Sequence, residues 1–208
     1  MEYIKNPMEI EKKSFEIIES ELGETHFKGE ELLILKRVIH TTADFDYKNI
    51  LEISPSAIET AKELFKKGAK IYTDTHMILS GINKKALSAT ESSAFCFVRD
   101  KDVELNAKKN NITRSMAAIK KASSINAQIY AFGNAPTALF TLKEMINKNE
   151  VKPKLIIAAP VGFVGASKSK EDMDKLNIPY IRIKGRKGGS TVTAAIINAL
   201  MYMVYRRE

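Results

Sequence analysis

The chain has 208 residues, 44% hydrophobic and 28% charged, with 33 Lys and Arg against 25 Asp and Glu for a net charge of +8. This balance excludes a collagen-like, low-complexity or wholly disordered chain, and the length predicts a single domain over 1–208 with a full hydrophobic core. No apolar run is long enough for a membrane-spanning helix, the Met1–Pro7 segment lacks an apolar signal core, and one cysteine, Cys96, fits a reducing cytoplasm.

In chain order, Asn6-Pro7 reads as a helix cap followed by proline at the first helical position, with Ile10, Phe15, Ile17, Ile18 and Leu22 at helical spacing and Gly23 as the stop. A second helix is expected from about Glu30 to His40 or Thr42. A third starts at Ser54-Pro55 and ends at Gly68. The pattern then changes. Short strands are expected at Ala69–Tyr72, Ser93–Val98, Gln128–Phe132, Lys154–Ala159 and Pro179–Ile183. Helices are expected near 112–124, 135–149 and 168–176, and a last one from about Ser190 to Tyr205. The apolar side chains of that last helix suit either core or a subunit contact. Strands alternating with helices predict an α/β fold of three αβα layers. Its sheet is mainly parallel and roughly five-stranded, with the N-terminal helices packed on it.

In such folds ligands sit beyond the carboxyl ends of the strands. The segments there are Thr73-Asp74-Thr75-His76-Met77, Gly133-Asn134-Ala135-Pro136-Thr137-Ala138-Leu139, Pro160-Val161-Gly162-Phe163-Val164-Gly165-Ala166 and Gly185-Arg186-Lys187-Gly188-Gly189-Ser190. Any one of them could be ordinary turn chemistry. Four on one edge, each leading into a helix N-terminus, predict an anion-binding cleft. The last is not a P-loop, because its lysine precedes the paired glycines, and no Gly-x-Gly-x-x-Gly follows a strand. A ligand rich in carboxylates suits Arg186, Lys187 and the helix start at Ser190.

Three histidines, His26, His40 and His76, show no metal spacing, and Cys96 lies in an apolar strand as a buried thiol. His40 falls at a helix C-terminus with Asp44 one turn on, a placement that suits a general acid oriented by a carboxylate. His26 sits in a polar turn, and His76 follows a strand, where it is either structural or part of the cleft. Arg114 stands at a helix start, where it could clamp a carboxylate. No serine occupies a nucleophile elbow. The excess positive charge fits a polyanionic ligand. Aromatic residues are only 8% and Trp is absent, so no stacking platform for nucleic acid is visible.

Seven blocks together carry a resemblance: Asn6-Pro7 with Ile10-Glu11 and Ser14-Phe15; Arg37-Val38-Ile39-His40; Asp74-Thr75-His76-Met77 with Gly81-Ile82; Thr113-Arg114-Ser115; and the glycine-bearing segments after the third, fourth and fifth expected strands. In these the chain resembles the precorrin-8X methylmutase family, which includes the cobalt-precorrin-8 methylmutases. The resemblance covers nearly the whole chain. It implies an isomerase of cobalamin biosynthesis that works without a separate cofactor and moves a methyl group from carbon 11 to carbon 12 of the corrinoid ring by a 1,5-sigmatropic shift. The product is hydrogenobyrinate, or cobyrinate where the substrate carries cobalt.

The resemblance also implies an anionic corrinoid as partner and a homodimer holding it partly at the subunit interface. His40 matches the family's proton donor, and Ser14 and Arg114 match positions touching the corrinoid. Thr75, Asn134, Pro136, Thr137, Gly162, Lys187, Gly188, Gly189 and Ser190 match the cleft walls. No metal ligand, nucleic acid or membrane is implied. A non-catalytic corrinoid carrier would use the same loops and is the competing reading.

Overall fold

The computed structural model describes residues 4–205. Asn6 caps α1 (Pro7–Leu22), its side-chain oxygen accepting from the amides of Met8 and Glu9. The helix α2 (Gly29–Thr42) ends on Ala43, whose left-handed backbone turns its N–H onto the Ile39 carbonyl. One turn of helix, α3 (Tyr47–Ile50), leads to β1 (Leu51–Ile53), α4 (Ala57–Lys66) and β2 (Lys70–Thr73). Gly68 makes the turn between the last two: its φ is +79°, and a Cβ there would stand 2.8 Å from the Glu91 carbonyl oxygen. Next come α5 (His76–Gly81), α6 (Lys84–Ala89), β3 (Ser93–Phe95), α7 (Lys101–Lys109) and α8 (Arg114–Ala122). The chain continues through β4 (Ile129–Phe132), α9 (Pro136–Asn147), β5 (Leu155–Ala158), α10 (Ala166–Lys170), β6 (Tyr180–Ile183) and α11 (Ser190–Tyr202).

The sheet has six strands in the order β1-β6-β5-β4-β2-β3, one more than the sequence predicts. The added strand is β1, which pairs antiparallel with β6, Leu51 opposite Ile183 and Ile53 opposite Ile181. Every other pairing is parallel. The helix expected near 168–176 is divided: α10 stops at Lys170, Asp172 turns with φ of 56°, and a 3-10 turn covers Asp174–Leu176.

Side-chain alternation divides the strands between two cores. Ile71, Ile129, Ala131, Leu155, Ile157, Ile181 and Ile183 face the layer of α2, α4, α5, α6 and α11, with α1 packed outside on α2. Tyr72, Tyr130, Phe132, Ile156, Ala158 and Tyr180 face Ile119 and Ala122 of α8 and Ala138, Leu139, Leu142 and Met145 of α9. Helix α11 is apolar around most of its circumference because it is covered on both sides. Val192, Ile196, Ile197, Leu200 and Met201 are fully buried between the sheet and the helices over it, which makes them core.

The β1 edge is fastened by Glu52. Its carboxylate accepts from the Tyr180 hydroxyl at 2.6 Å and pairs with Arg182 at 2.8 Å. Burial pushes this carboxyl up, but the hydrogen bonds from Tyr180 and Arg182 outweigh burial and hold it below its ordinary value of 4.5. A lowered native value means the stabilisation is fully present above the unfolded value and is lost as pH falls below it. Glu52→Gln should therefore cost about 1–3 kcal/mol at neutral pH. Urea melts should show the two proteins converging as pH drops through the acid range.

Candidate active site

The loops after β2, β4, β5 and β6 converge at the strands' carboxyl ends. The sheet order reverses direction between β2 and β4, where an open α/β sheet leaves a crevice. Asp74, the first residue after β2, organises that point. It is buried, and its carboxylate accepts from the backbone amides of Gly133 at 2.9 Å, Asn134 at 2.9 Å and Ala135 at 2.7 Å. The loop after β4 is thus wrapped around a side chain supplied by its neighbour strand. Burial pushes the Asp74 carboxyl up, and the three amides partly offset it. The sequence alone did not single out Asp74, because three donors about sixty residues away carry no local signal.

Thr75 caps α5, accepting from the Ile78 amide at 3.1 Å, and its hydroxyl meets that of Ser190 at 2.8 Å. One oxygen so joins the starts of α5 and α11. Thr75→Val should lower stability by about 1–2 kcal/mol through the lost cap and the unpaired Ser190 hydroxyl. For a chain of this size that is a fall of about 3–6 °C in a thermal melt.

Two glycines permit the close approach here. A Cβ on Gly133 would stand 2.7 Å from Ser190 Cα, and one on Gly188 would stand 2.2 Å from the Ala159 carbonyl oxygen. Gly189 donates to that same oxygen at 2.8 Å, and Gly162 donates to the Arg186 carbonyl at 3.1 Å. Thr75, Gly162, Gly188, Gly189 and Ser190 therefore lie together at this edge, with the exposed Asn134 on the adjoining loop. On the α8–α9 side, Thr113 and Thr137 hydroxyls lie 3.2 Å apart, so Thr137 and Pro136 at the start of α9 adjoin the exposed Arg114 at the start of α8.

His40 stands in the last turn of α2, exposed, with its ring stacked on Phe15 at 5.2 Å between centroids. Ser14, beside Phe15 on α1, donates to the Ile10 carbonyl at 2.8 Å. Asp44 does not orient His40 as its spacing suggests. Its carboxylate is taken by Lys187 at 2.6 Å, with Asp46 on the same ammonium at 3.1 Å. The Lys187 hydrogen bond holds the Asp44 carboxyl below its ordinary value. So Lys187, expected to meet a ligand carboxylate, here ties the end of α2 to the loop before α11. Among the described residues no hydrogen bond or ring contact links His40 to Arg114, Asn134 or Thr75.

One turn before His40 a cleft of about 280 Å³ is lined by Phe15, Leu33, Lys36, Arg37, Ala199, Tyr202 and Met203. Arg37 lies over the Phe15 and Tyr202 rings and pairs with Glu11. The cleft is at the low end of ligand-pocket volumes, suited to a side arm rather than a macrocycle. The sequence reading missed it, since it arises where α1, α2 and the end of α11 meet.

His76 opens α5, half-buried, with its Nε2 atom out of contact with water. Burial pushes the Cys96 thiol up, the setting of an inert thiol. No group of three His, Cys, Asp or Glu side chains converges as a metal site among the described residues. None of their helices is long and apolar enough to cross a membrane.

The sequence profile of the precorrin-8X methylmutase family matches residues 9–203. A cobalt-precorrin-8 methylmutase of Leptospira interrogans is 46% identical over 95% of this chain and 94% of its own. One from Salmonella typhimurium is 44% identical over 97% of this chain and 98% of its own. The crystal structure of a precorrin-8X methylmutase from Thermus thermophilus superimposes with a TM-score of 0.89 at 34% identity, covering 95% of this chain and 96% of that one. With the glycine-bearing loops gathered at the carboxyl edge of the sheet and the match running from α1 to the end of α11, the chain belongs to the precorrin-8X methylmutase family.

Proposed function

We propose that this protein is an isomerase that moves a methyl group from carbon 11 to carbon 12 of the corrin ring of cobalt-precorrin-8 or its metal-free counterpart. The observation that carries the reading is the family match over residues 9–203. The relatives named above are methylmutases, which favours catalysis over a carrier role. His40 is the proton donor to the conjugated ring. Its exposed place at the end of α2 and its Phe15 stack support that role, because an acid must reach the substrate with a fixed ring plane. Ser14 faces the edge of the ring nearest His40, and the cleft beside Phe15 receives a side arm from that edge.

Arg114, Thr75, Asn134, Pro136, Thr137, Gly162, Gly188, Gly189 and Ser190 form the walls that hold the ring and its carboxylate arms. Lys187 acts through its clamp on Asp44. A sigmatropic shift breaks and forms bonds within one molecule. The protein's work is then to position the ring, exclude water and supply a proton, with no separate cofactor. The net charge of +8 draws in a polycarboxylate. A homodimer is the assembly proposed, because Met8, Ile10, Ile17 and Leu33 leave apolar surface on α1 and α2 next to the His40 end. The cytoplasm is its place, on the single cysteine.

The test is anaerobic mixing with cobalt-precorrin-8 and, separately, with the metal-free compound, followed by visible absorbance. The shift alters ring conjugation, so turnover changes the spectrum. Conversion of either supports the reading and tells which form is the substrate. Binding of both without conversion would establish the carrier.

A further inference from the structure

Helix α10 ends on a lysine that the folded chain hides almost completely, with Lys170 1% exposed. Its ammonium donates to the Pro160 carbonyl at 2.9 Å, in the loop after β5, and to the Lys187 carbonyl at 2.8 Å, in the loop after β6. Its own carbonyl accepts from Arg182 at 2.8 Å, the arginine that pairs with Glu52. Two backbone hydrogen bonds already stitch these loops, Gly162 to Arg186 and Gly189 to Ala159. Lys170 adds a charged link behind them.

Among the described residues no carboxylate pairs with this ammonium, and burial lowers it to about 8. Holding a cation out of water on two neutral carbonyls is costly to the fold. A neutral side chain of similar length would pack there at lower cost. What the cation adds is strong, directional donation to two carbonyls at once. The two carbonyls belong to the two loops that carry Gly162, Gly188 and Gly189.

We infer that Lys170 is a positioning residue of the methylmutase site. It fixes the separation of the loops after β5 and β6, and so presets the wall on which the corrin and its carboxylate arms rest. This rests on the proposed reading of those loops as cleft walls. Lys170 makes no contact with His40 and reaches the end of α2 only indirectly, through Lys187 and its pairing with Asp44, so its effect falls mainly on binding and not on proton transfer. Interactions made equally in the ground and transition states set KM and leave kcat alone.

Lys170→Met keeps the volume and removes both hydrogen bonds. Steady-state kinetics with whichever precorrin-8 form the wild type converts should show KM raised at least tenfold and kcat within threefold. Affinity for the product should fall in parallel. A variant with a lowered melting temperature and wild-type KM would show that the lysine serves stability alone. A fall in kcat at unchanged KM would equally overturn the inference. Wild type that converts neither form overturns the functional reading first, and is seen before any variant is made. Should the methionine variant not fold, amide exchange in the wild type decides. The Gly162 and Gly189 amides should be protected at least a hundredfold without ligand and change little on adding product. Fast exchange there in the free protein would mean the wall is not preset.

Discussion

Replacing His40 with alanine should lower kcat by about 10²–10⁴-fold, the range over which a positioned general acid contributes. Product affinity should stay within a few-fold. The structure separates these effects. His40 is exposed at the end of a helix and no buried partner depends on it, so its removal takes little from the core. The Phe15 ring on which it stacks remains held by Arg37 on its other contact. Asp44 is engaged with Lys187 and loses nothing when the imidazole goes. The comparison is anaerobic: initial rates from visible absorbance, with product titrated into each protein for affinity. His40→Asn keeps a polar group but supplies no proton, and should be as slow as alanine. A rate within threefold of wild type in either variant would remove His40 from the chemistry.

Asp74→Ala should cost about 3–5 kcal/mol, because it strands the amides of Gly133, Asn134 and Ala135 around a space left by two oxygens. Activity should fall with it, since that loop carries Asn134 and starts α9 at Pro136. Asn is only a partial substitute. It offers one acceptor oxygen, and its NH2 group would face an amide that also donates. The pH dependence discriminates further. Burial raises the native carboxyl above its ordinary value of 3.8. A raised value means the native state binds the proton more tightly than the unfolded chain, so stability from this group declines as pH rises through the native value. Asp74→Asn has no such titration. The gap between wild type and Asp74→Asn should be widest in acid and narrow toward neutrality, read by denaturant melts. A gap that widens with rising pH would contradict a burial-raised carboxyl.

What the sequence showed and hid follows from the range of the forces involved. The strands β2, β4, β5 and β6 were legible as short, mainly apolar runs after helical periods, because a strand covered on both faces buries nearly every side chain, Lys70 and Arg182 being the exceptions. The edge strand β1 was not, since Leu51-Glu52-Ile53 is too short to show alternation and becomes a strand only by pairing with Ile181, Arg182 and Ile183. Helix α7 was missed because Lys101–Lys109 is mostly polar and buries only Val103 and Ala107. The glycines of the cleft could be read, because a turn or a close approach needs them locally. Asp74 and Lys170 could not. An acidic residue after a strand and a lysine in Lys168-Ser169-Lys170 look solvated until the backbone groups they satisfy are placed. The clamp of Lys187 on Asp44 and Asp46 is hidden for a related reason: both partners lie more than 140 residues earlier.

The burial of α11 also dictates when the protein can fold. This helix spans Ser190–Tyr202, yet it covers α2, α4, α5 and α6 and the middle of the sheet. While the chain emerges from the ribosome, α2 lacks α11, the helix it packs against most extensively, until synthesis has passed residue 190. Contacts this distant in sequence make folding slow and leave sticky surface open in the meantime. The first two helices must wait, and a nascent chain halted before α11 is a substrate for chaperones and proteases rather than a smaller working enzyme.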